Sequence, residues 1–431
     1  MGSRTPVESG TTETRSHGGC RGWTLFVCLA TLWGWTPAQA QAPVDGHVSL
    51  LFDVLPDISA AAGAQRATEL RARLFVEHAQ EVGEHLRINL AAYVDGLVGA
   101  RPAAGESDRA TDAIVRPGDL YVEYRAERFD VRAGFSRVVW GRLDEFQPTD
   151  VVNPIDLTRF LLEGRSEARL PVALVRGRLF LPGSSTLEAV VVPAFRPARF
   201  DQLDEATSPF NLAATPLPVQ RSEPERRWNN LQGGARLTST AGRVDWGATV
   251  YRGFRAFPTF TLQPGPLVRE TFPRFTMVGG DFETARGPWG VRGELAVFTE
   301  DEFQSTAGAR GVPGRSVEAG IGADRRAGDY RVAANVIVNH RSADDEEIDG
   351  TDVSIVGSAD RTFARETRRL RVLGVYDPVD DTGFARIIAA ISLRDNVWLE
   401  GSGGLFAGSA LDTIGRLTRR DFVYARLKVF F

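Results

Sequence analysis

Apolar and polar residues alternate one by one along most of this chain, and no other feature restricts its fold as much. From Glu69 to His78, Leu70, Ala72, Leu74 and Val76 fall on one face, with Glu69, Arg71, Arg73 and Glu77 on the other. Leu86, Ile88, Leu90, Ala92 and Val94 oppose His85, Arg87, Asn89, Tyr93 and Asp95. Tyr330, Val332, Ala334, Val336 and Val338 oppose Arg331, Asn335 and Asn339. A helix would scatter these charges around every face, whereas a strand sorts them into two.

Soluble sandwiches alternate too, so strand length and connections have to separate the two cases. The alternating runs last about 10 to 14 residues, against the usual 5 to 6 for soluble strands, and a tilted strand crosses a bilayer in roughly 9 to 11. Tight turns at Glu81-Val82-Gly83, Gly183-Ser184-Ser185, Ala241-Gly242-Arg243, Gly287-Pro288 and Ala327-Gly328-Asp329 alternate with long polar stretches. The long stretches fall at about 99–116, 139–167, 196–228, 255–270, 300–314 and 341–352. Short turns at one end and long loops at the other describe an antiparallel up-and-down transmembrane β-barrel, an all-β fold. Parity of rising and falling strands requires one more strand between 341 and 366, where Thr351–Ala359 is the candidate. The count is then about 18 strands, with 16 the second choice. The chain has no length to spare for a separate plug domain.

Both ends carry export features. Arg15, His17 and Arg21 precede an apolar run from Trp23 to Trp35, and Thr36-Pro37-Ala38-Gln39-Ala40 follows. A basic flank, a short apolar stretch and small residues before a cut after Ala40 define a secretory signal over residues 1–40, with the barrel over 41–431. The polar twenty residues ahead of that run point to a translation start downstream of Met1. Both cysteines, Cys20 and Cys28, fall within the signal, which leaves the exported chain without disulfides or thiolate metal sites. At the other end, Val423, Ala425, Leu427, Val429 and the terminal Phe431 form one apolar face. That pattern resembles the C-terminal strand signal through which bacterial outer-membrane barrels engage the barrel-assembly machinery.

Inward-facing positions carry Arg87, Arg132, Arg176 and Arg178, among other arginines, together with acids such as Asp95, Asp281, Glu283 and Glu294. Charges in a lumen require water or partners there, and a barrel of 16 to 18 strands is wide enough for an aqueous channel. These charges act either as a filter for small solutes or as paired ladders bracing the wall. Their mixed signs predict no ion preference.

The stretch 139–167, read as the longest loop, is the most informative. Pro148 and Pro154 mark a loop, and Asp150 and Asn153 suit turn or cap positions. Leu157, Phe160, Leu161 and Leu162 would be poorly placed in bulk water, so the segment is expected to fold against something: into the barrel mouth as a constriction, across the rim as a lid, or onto a partner. The constriction would use Arg142, Asp144, Asp150 and Asp156, with Arg87, Arg132, Arg176 and Arg178 opposite. The Trp140-Gly141-Arg142-x-Asp144, Pro148-Thr149-Asp150 and Asn153-Pro154-x-Asp156 pattern is similar to a segment of an uncharacterised family of porin-like proteobacterial outer-membrane proteins. More loosely, the last 60 residues are similar as well. The resemblance implies an outer-membrane barrel without naming a solute.

No HExxH, CxxC, GxSxG or phosphate-loop pattern occurs, so neither a cofactor nor a metal is expected, and the formal net charge of −4 gives no reason to expect nucleic acid. His340 and Ser342 share the parity of Val336 and Val338, and a His-x-Ser on a lipid-facing strand resembles outer-membrane phospholipases and lipid A deacylases. No orienting carboxylate or amide accompanies the pair. The reading that follows is a non-enzymatic channel in the bacterial outer membrane, monomeric or homo-trimeric, in contact with lipid and small solutes. A non-conducting structural or adhesive barrel, a channel for lipid-like cargo, and a lipid esterase using His340 and Ser342 are the alternatives.

Overall fold

The computed structural model describes residues 44–58, 65–100, 109–213, 215–305, 310–408 and 413–431. The export signal, both cysteines and part of the stretch expected at 99–116 lie outside these. From Val44 onward the chain runs up and down in antiparallel strands. The first, Val44–Val54, pairs with its neighbour Thr68–Val82 and also with the last, Phe422–Phe430. Gly46 and Phe431 seal the seam by donating to each other's carbonyls at 3.0 and 3.1 Å. The sheet contains 19 ladder segments. Two of these, Arg109–Pro117 and Leu120–Arg125, both lie against Leu86–Ala100, so they are one membrane strand in two pieces and the barrel has 18 strands. The break is local chemistry. Pro117 has no N–H for the ladder, Gly118 donates to Ala91 at 2.8 Å, and Asp119 is drawn to Arg137.

The strand required by parity is Gly350–Phe363, paired on both sides. Within the stretch 300–314, residues 300–305 and 310–314 are strand. Trp289–Ser305 and Arg310–Ala327 are 17 and 18 residues long and stay paired beyond a register shift at Phe298/Asp301. There the hairpin rises above the apolar belt. It has no lipid-facing side to keep apolar, so the alternation that marks a membrane strand fades. Within the expected loop at 255–270, Thr259–Gln263 and Leu267–Thr271 form a hairpin, which Val219–Ser222 joins in parallel. The longest connection is 193–231 rather than the one at 139–167, which runs from 137 to 171.

Burial is inverted relative to a soluble protein. Val336, Ile321 and Ile355 sit side by side across three strands and are 41%, 57% and 43% exposed. The charged residues between the apolar positions, Glu69, Asp95, Glu123 and Asp281 among them, are buried. The predicted C-terminal face points outward, with Val423 at 60% and Phe431 at 55%. One departure concerns the lumen, which is not charged throughout. Trp140 of the 137–171 connection packs with the wall residues Tyr251, Phe275, Met277 and Phe298 in an apolar cluster. Val336→Arg puts a guanidinium on the lipid face at mid-strand and should cost about 2–4 kcal/mol in folding titrations from urea into lipid vesicles. A near-neutral result would mean that this face meets water.

Candidate functional site

The 137–171 connection turns inward and crosses the lumen. Its start is anchored by Asn153, whose Oδ1 accepts from the Val138 N–H at 2.7 Å and whose Nδ2 donates to the Leu170 carbonyl at 2.8 Å. Both ends of the segment are thereby fixed to one side chain. Trp140 donates from Nε1 to Glu188 at 2.6 Å. The main fastening is Glu294, a buried wall residue. Its carboxylate accepts the backbone N–H groups of Arg142, Leu143 and Thr149 at 2.5, 2.6 and 3.1 Å, and the Thr149 hydroxyl at 2.8 Å. Leu143 then presses into the wall at Gly320 and Gly322. A Cβ on Gly320 would stand 2.5 Å from Leu143 Cδ1, so this approach needs glycine.

Charges extend the fastening across several strands. Arg142 pairs with Asp281 and, at 3.1 Å, with Glu283. Asp144 reaches Arg292 at 3.0 Å and Arg331 at 3.3 Å, and Glu145 reaches Arg371 at 2.6 Å. The segment then forms a short helix, Leu157–Glu163, capped by Asp156, which accepts from the Arg159 N–H. Burial pushes the Asp156 carboxyl well above the usual range, reinforced by Asp201 and opposed by Arg71 and Arg116. Arg159 pairs with Asp95 at 2.9 Å, Glu163 with Arg73 and Arg426, each at 3.1 Å, and Arg386 donates to the Leu162 carbonyl at 2.6 Å. Leu157, Leu161 and Leu162 pack with Leu51, Phe210, Phe406 and Phe422, and Phe160 lies against this cluster.

The 193–231 connection lies over this helix. Arg199 donates to the Ile155 carbonyl at 2.9 Å, and Leu157 to the Arg199 carbonyl at 2.8 Å. Asp201 pairs with Arg66 at 3.1 Å and Arg71 at 2.7 Å.

The residues singled out in the sequence occupy three settings. Arg142 and Asp144 bridge from the connection to the wall. Asp150 pairs within its own segment, with Arg165 and Arg169 at 3.0 and 2.7 Å, and Asp156 is a helix cap. Arg132 and Arg176 share Glu123, Arg178 pairs with Asp130, and Arg87 lies 3.8 Å from Glu81. Among the described residues none of these four pairs with the infolded segment. The wall groups that do meet it include Arg73, Asp281, Arg292, Glu294 and Arg371. Parity placed the acids among them inward but could not show which acid would receive backbone donors from 145 residues away or more. His340 bonds Thr351 at 2.9 Å through Nδ1, and no hydrogen bond to Ser342 is seen.

Glu294→Ala leaves several buried donors unpaired, at about 3 kcal/mol. Trypsin should cut the folded barrel after Arg142 or Arg159 faster, by on the order of a hundredfold in released segment. Unchanged cleavage would place the fastening elsewhere.

Comparison with solved structures finds the same fold at very low identity. A BenF-like porin from Pseudomonas fluorescens Pf-5 superposes with a TM-score of 0.52 at 10% identity, covering 91% of this chain and 97% of that one. The outer membrane protein opdK from Pseudomonas aeruginosa gives 0.51 at 11%, covering 90% and 97%. OccAB3 from Acinetobacter baumannii gives 0.50 at 8%, covering 90% and 99%. No curated protein matches the sequence. The fold is that of outer-membrane porins, with the apolar belt that a transmembrane barrel presents to lipid. Residues 70–352, well over half of the chain and including the whole infolded segment, match one family along the sequence, while the last 60 residues fall beyond that match. The chain belongs to the family described as "Protein of unknown function (DUF1302)".

Proposed function

We propose that this protein is a channel for small solutes in the bacterial outer membrane, and that the 137–171 segment is its constriction. One observation carries the reading. A connection that could have lain on the rim is drawn inside an 18-strand barrel and bonded to wall strands far apart in sequence, from Asp95 to Arg426. A segment held there narrows the path and sets its charge, which is how a passive channel selects by size and field. Among the loop acids, Asp144 is the one that selects: it is 23% exposed and faces Arg292 and Arg331. Asp150 and Asp156 instead hold the segment in shape, and Arg87, Arg132, Arg176 and Arg178 brace the wall.

Planar-bilayer conductance of the refolded exported chain tests this. Discrete, long-lived steps are expected. Asp144→Lys should move the reversal potential in a salt gradient toward anion preference, because it puts a cation in place of the carboxylate beside Arg292 and Arg331 and leaves Asp324 shared between those two arginines. A folded barrel that stays silent would overturn the channel reading in favour of a non-conducting structural barrel. An unmoved reversal potential would take Asp144 out of the path.

A further inference from the structure

The lipid-facing side of the barrel changes character over four neighbouring strands, Val244–Phe254, Arg274–Arg286, Trp289–Ser305 and Arg310–Ala327. Val250, Val278, Val297 and Val317 stand in register across them and form one outward apolar row. One step further from the short turns, about 7 Å along each strand, the outward row is Arg252, Thr276, Glu300 and Arg315. Arg252 is paired with Thr276, and a register shift brings Glu300 opposite Thr276. Arg252, Glu300 and Arg315 are exposed. Elsewhere outward positions near that end are apolar, as at Phe52, Leu70, Val98 and Leu405. The end away from the short turns is the one that meets the outer leaflet.

The end of the 193–231 connection is tied to this edge. Arg274, beside Arg252 on the next strand, lies 4.4 Å from the centre of the Phe254 ring and donates to the Asn229 carbonyl at 2.8 Å and to Asn230 Oδ1 at 2.9 Å. That holds the stretch with Arg226, Arg227 and Trp228 at the same level, and Trp228 is 88% exposed. Two of the five arginines are balanced: Arg227 by Glu225 at 2.6 Å and Arg252 by Glu300 at 3.3 Å. Arg226, Arg274 and Arg315 have no carboxylate within ion-pair distance among the described residues. Glu223, also exposed, pairs with none of the five. Guanidinium forks suit phosphate oxygens, an indole suits the boundary between lipid and water, and the valine row suits acyl chains. Free phosphate would use the arginines alone. A second copy of this chain, related by a two-fold axis, would set arginine against arginine.

We infer that this edge is a docking surface for a phosphorylated lipid of the outer leaflet, with its phosphate on Arg252, Arg274 and Arg315 and its acyl chains along the valine row. The surface lies outside the lumen, so it stands or falls apart from the channel reading. The refolded exported chain in neutral detergent is titrated with diphosphoryl lipid A, with the same lipid stripped of its phosphates, and with inorganic phosphate. Binding is read from Trp228 fluorescence, as the difference from a Trp228→Phe barrel, and by native mass spectrometry. Diphosphoryl lipid A should bind saturably, more weakly as salt rises, and the stripped lipid and inorganic phosphate at least tenfold more weakly. The combined variant Arg252→Gln, Arg274→Gln and Arg315→Gln should lose on the order of a hundredfold in affinity. All three side chains project outward, and circular dichroism confirms that the variant folds.

Equal affinity for the phosphorylated and the stripped lipid would overturn the docking surface, as would unchanged affinity in the combined variant. Inorganic phosphate binding as tightly as the lipid would leave an anion site without a lipid and overturn it too. So would a barrel that dimerises through this edge in detergent, shown by cross-links between Trp228→Cys copies of a chain otherwise without its two native cysteines. Loss of lipid A affinity in the combined variant, with the stripped lipid unaffected, would support it.

Discussion

A chain crossing lipid in strands must pair every backbone N–H and C=O within itself, because hydrocarbon offers no partner. Closure of Val44–Val54 onto Phe422–Phe430 meets that condition, and the other features follow from it. A closed sheet has one face toward lipid, which must be apolar, and one toward an interior wide enough for water. The alternation of each strand is this division written residue by residue. The interior positions are then free to be charged, and in this chain nearly all the basic ones are arginine, Lys428 being the only lysine. Arginine suits a crowded interior because its planar fork can serve two acceptors in fixed geometry. Arg142 does so between Asp281 and Glu283, and Arg292 between Asp144 and Asp324.

Such pairs position the segment more than they stabilise it. A buried ion pair returns roughly what its desolvation costs, so its value lies in where it holds the partners. Glu294 differs in kind. It receives backbone donors, which fixes the course of the segment and not merely the end of a long side chain. Leu143 completes the placement sterically, since the wall opposite it has no side chains at Gly320 and Gly322. Hydrogen bonds, fit and charge agree on one position, and that agreement makes it unique.

The architecture was legible because its cause is local. Period two needs only neighbouring residues, and parity could require a strand at Gly350–Phe363 that composition hardly shows. The apolar residues Leu157 to Leu162 announced that their segment must pack. Their destination was not legible, because it depends on contacts distant in sequence, such as Phe210 of the 193–231 connection and Phe406 of the wall strand Val397–Ala407. The same limit applies to the charges. Alternation places Arg132 and Arg292 on the same face with equal force, yet Arg132 spends its charge on Glu123 in its own wall, while Arg292 meets the loop acid Asp144. The choice between them depends on height in the barrel and on where the segment enters, and both are properties of the closed structure. The paired stretches 300–305 and 310–314 escape the sequence pattern for a related reason, since a strand above the lipid belt has no apolar face to reveal it.

The infolded segment meets the wall in two different ways. Toward Glu294, Asp281 and Arg292 the contact is complete: Leu143 is buried, Glu294 accepts several donors, and acids and arginines alternate. Toward Asp95 it is looser, because Gln202 and one nitrogen of Arg116 have no hydrogen-bond partner among the described residues. A segment attached evenly on both sides would be a structural strut. Attachment that runs through backbone donors on one side and through side-chain ion pairs on the other gives the interior a direction, with a fixed edge at Glu294 and a looser margin at Arg116.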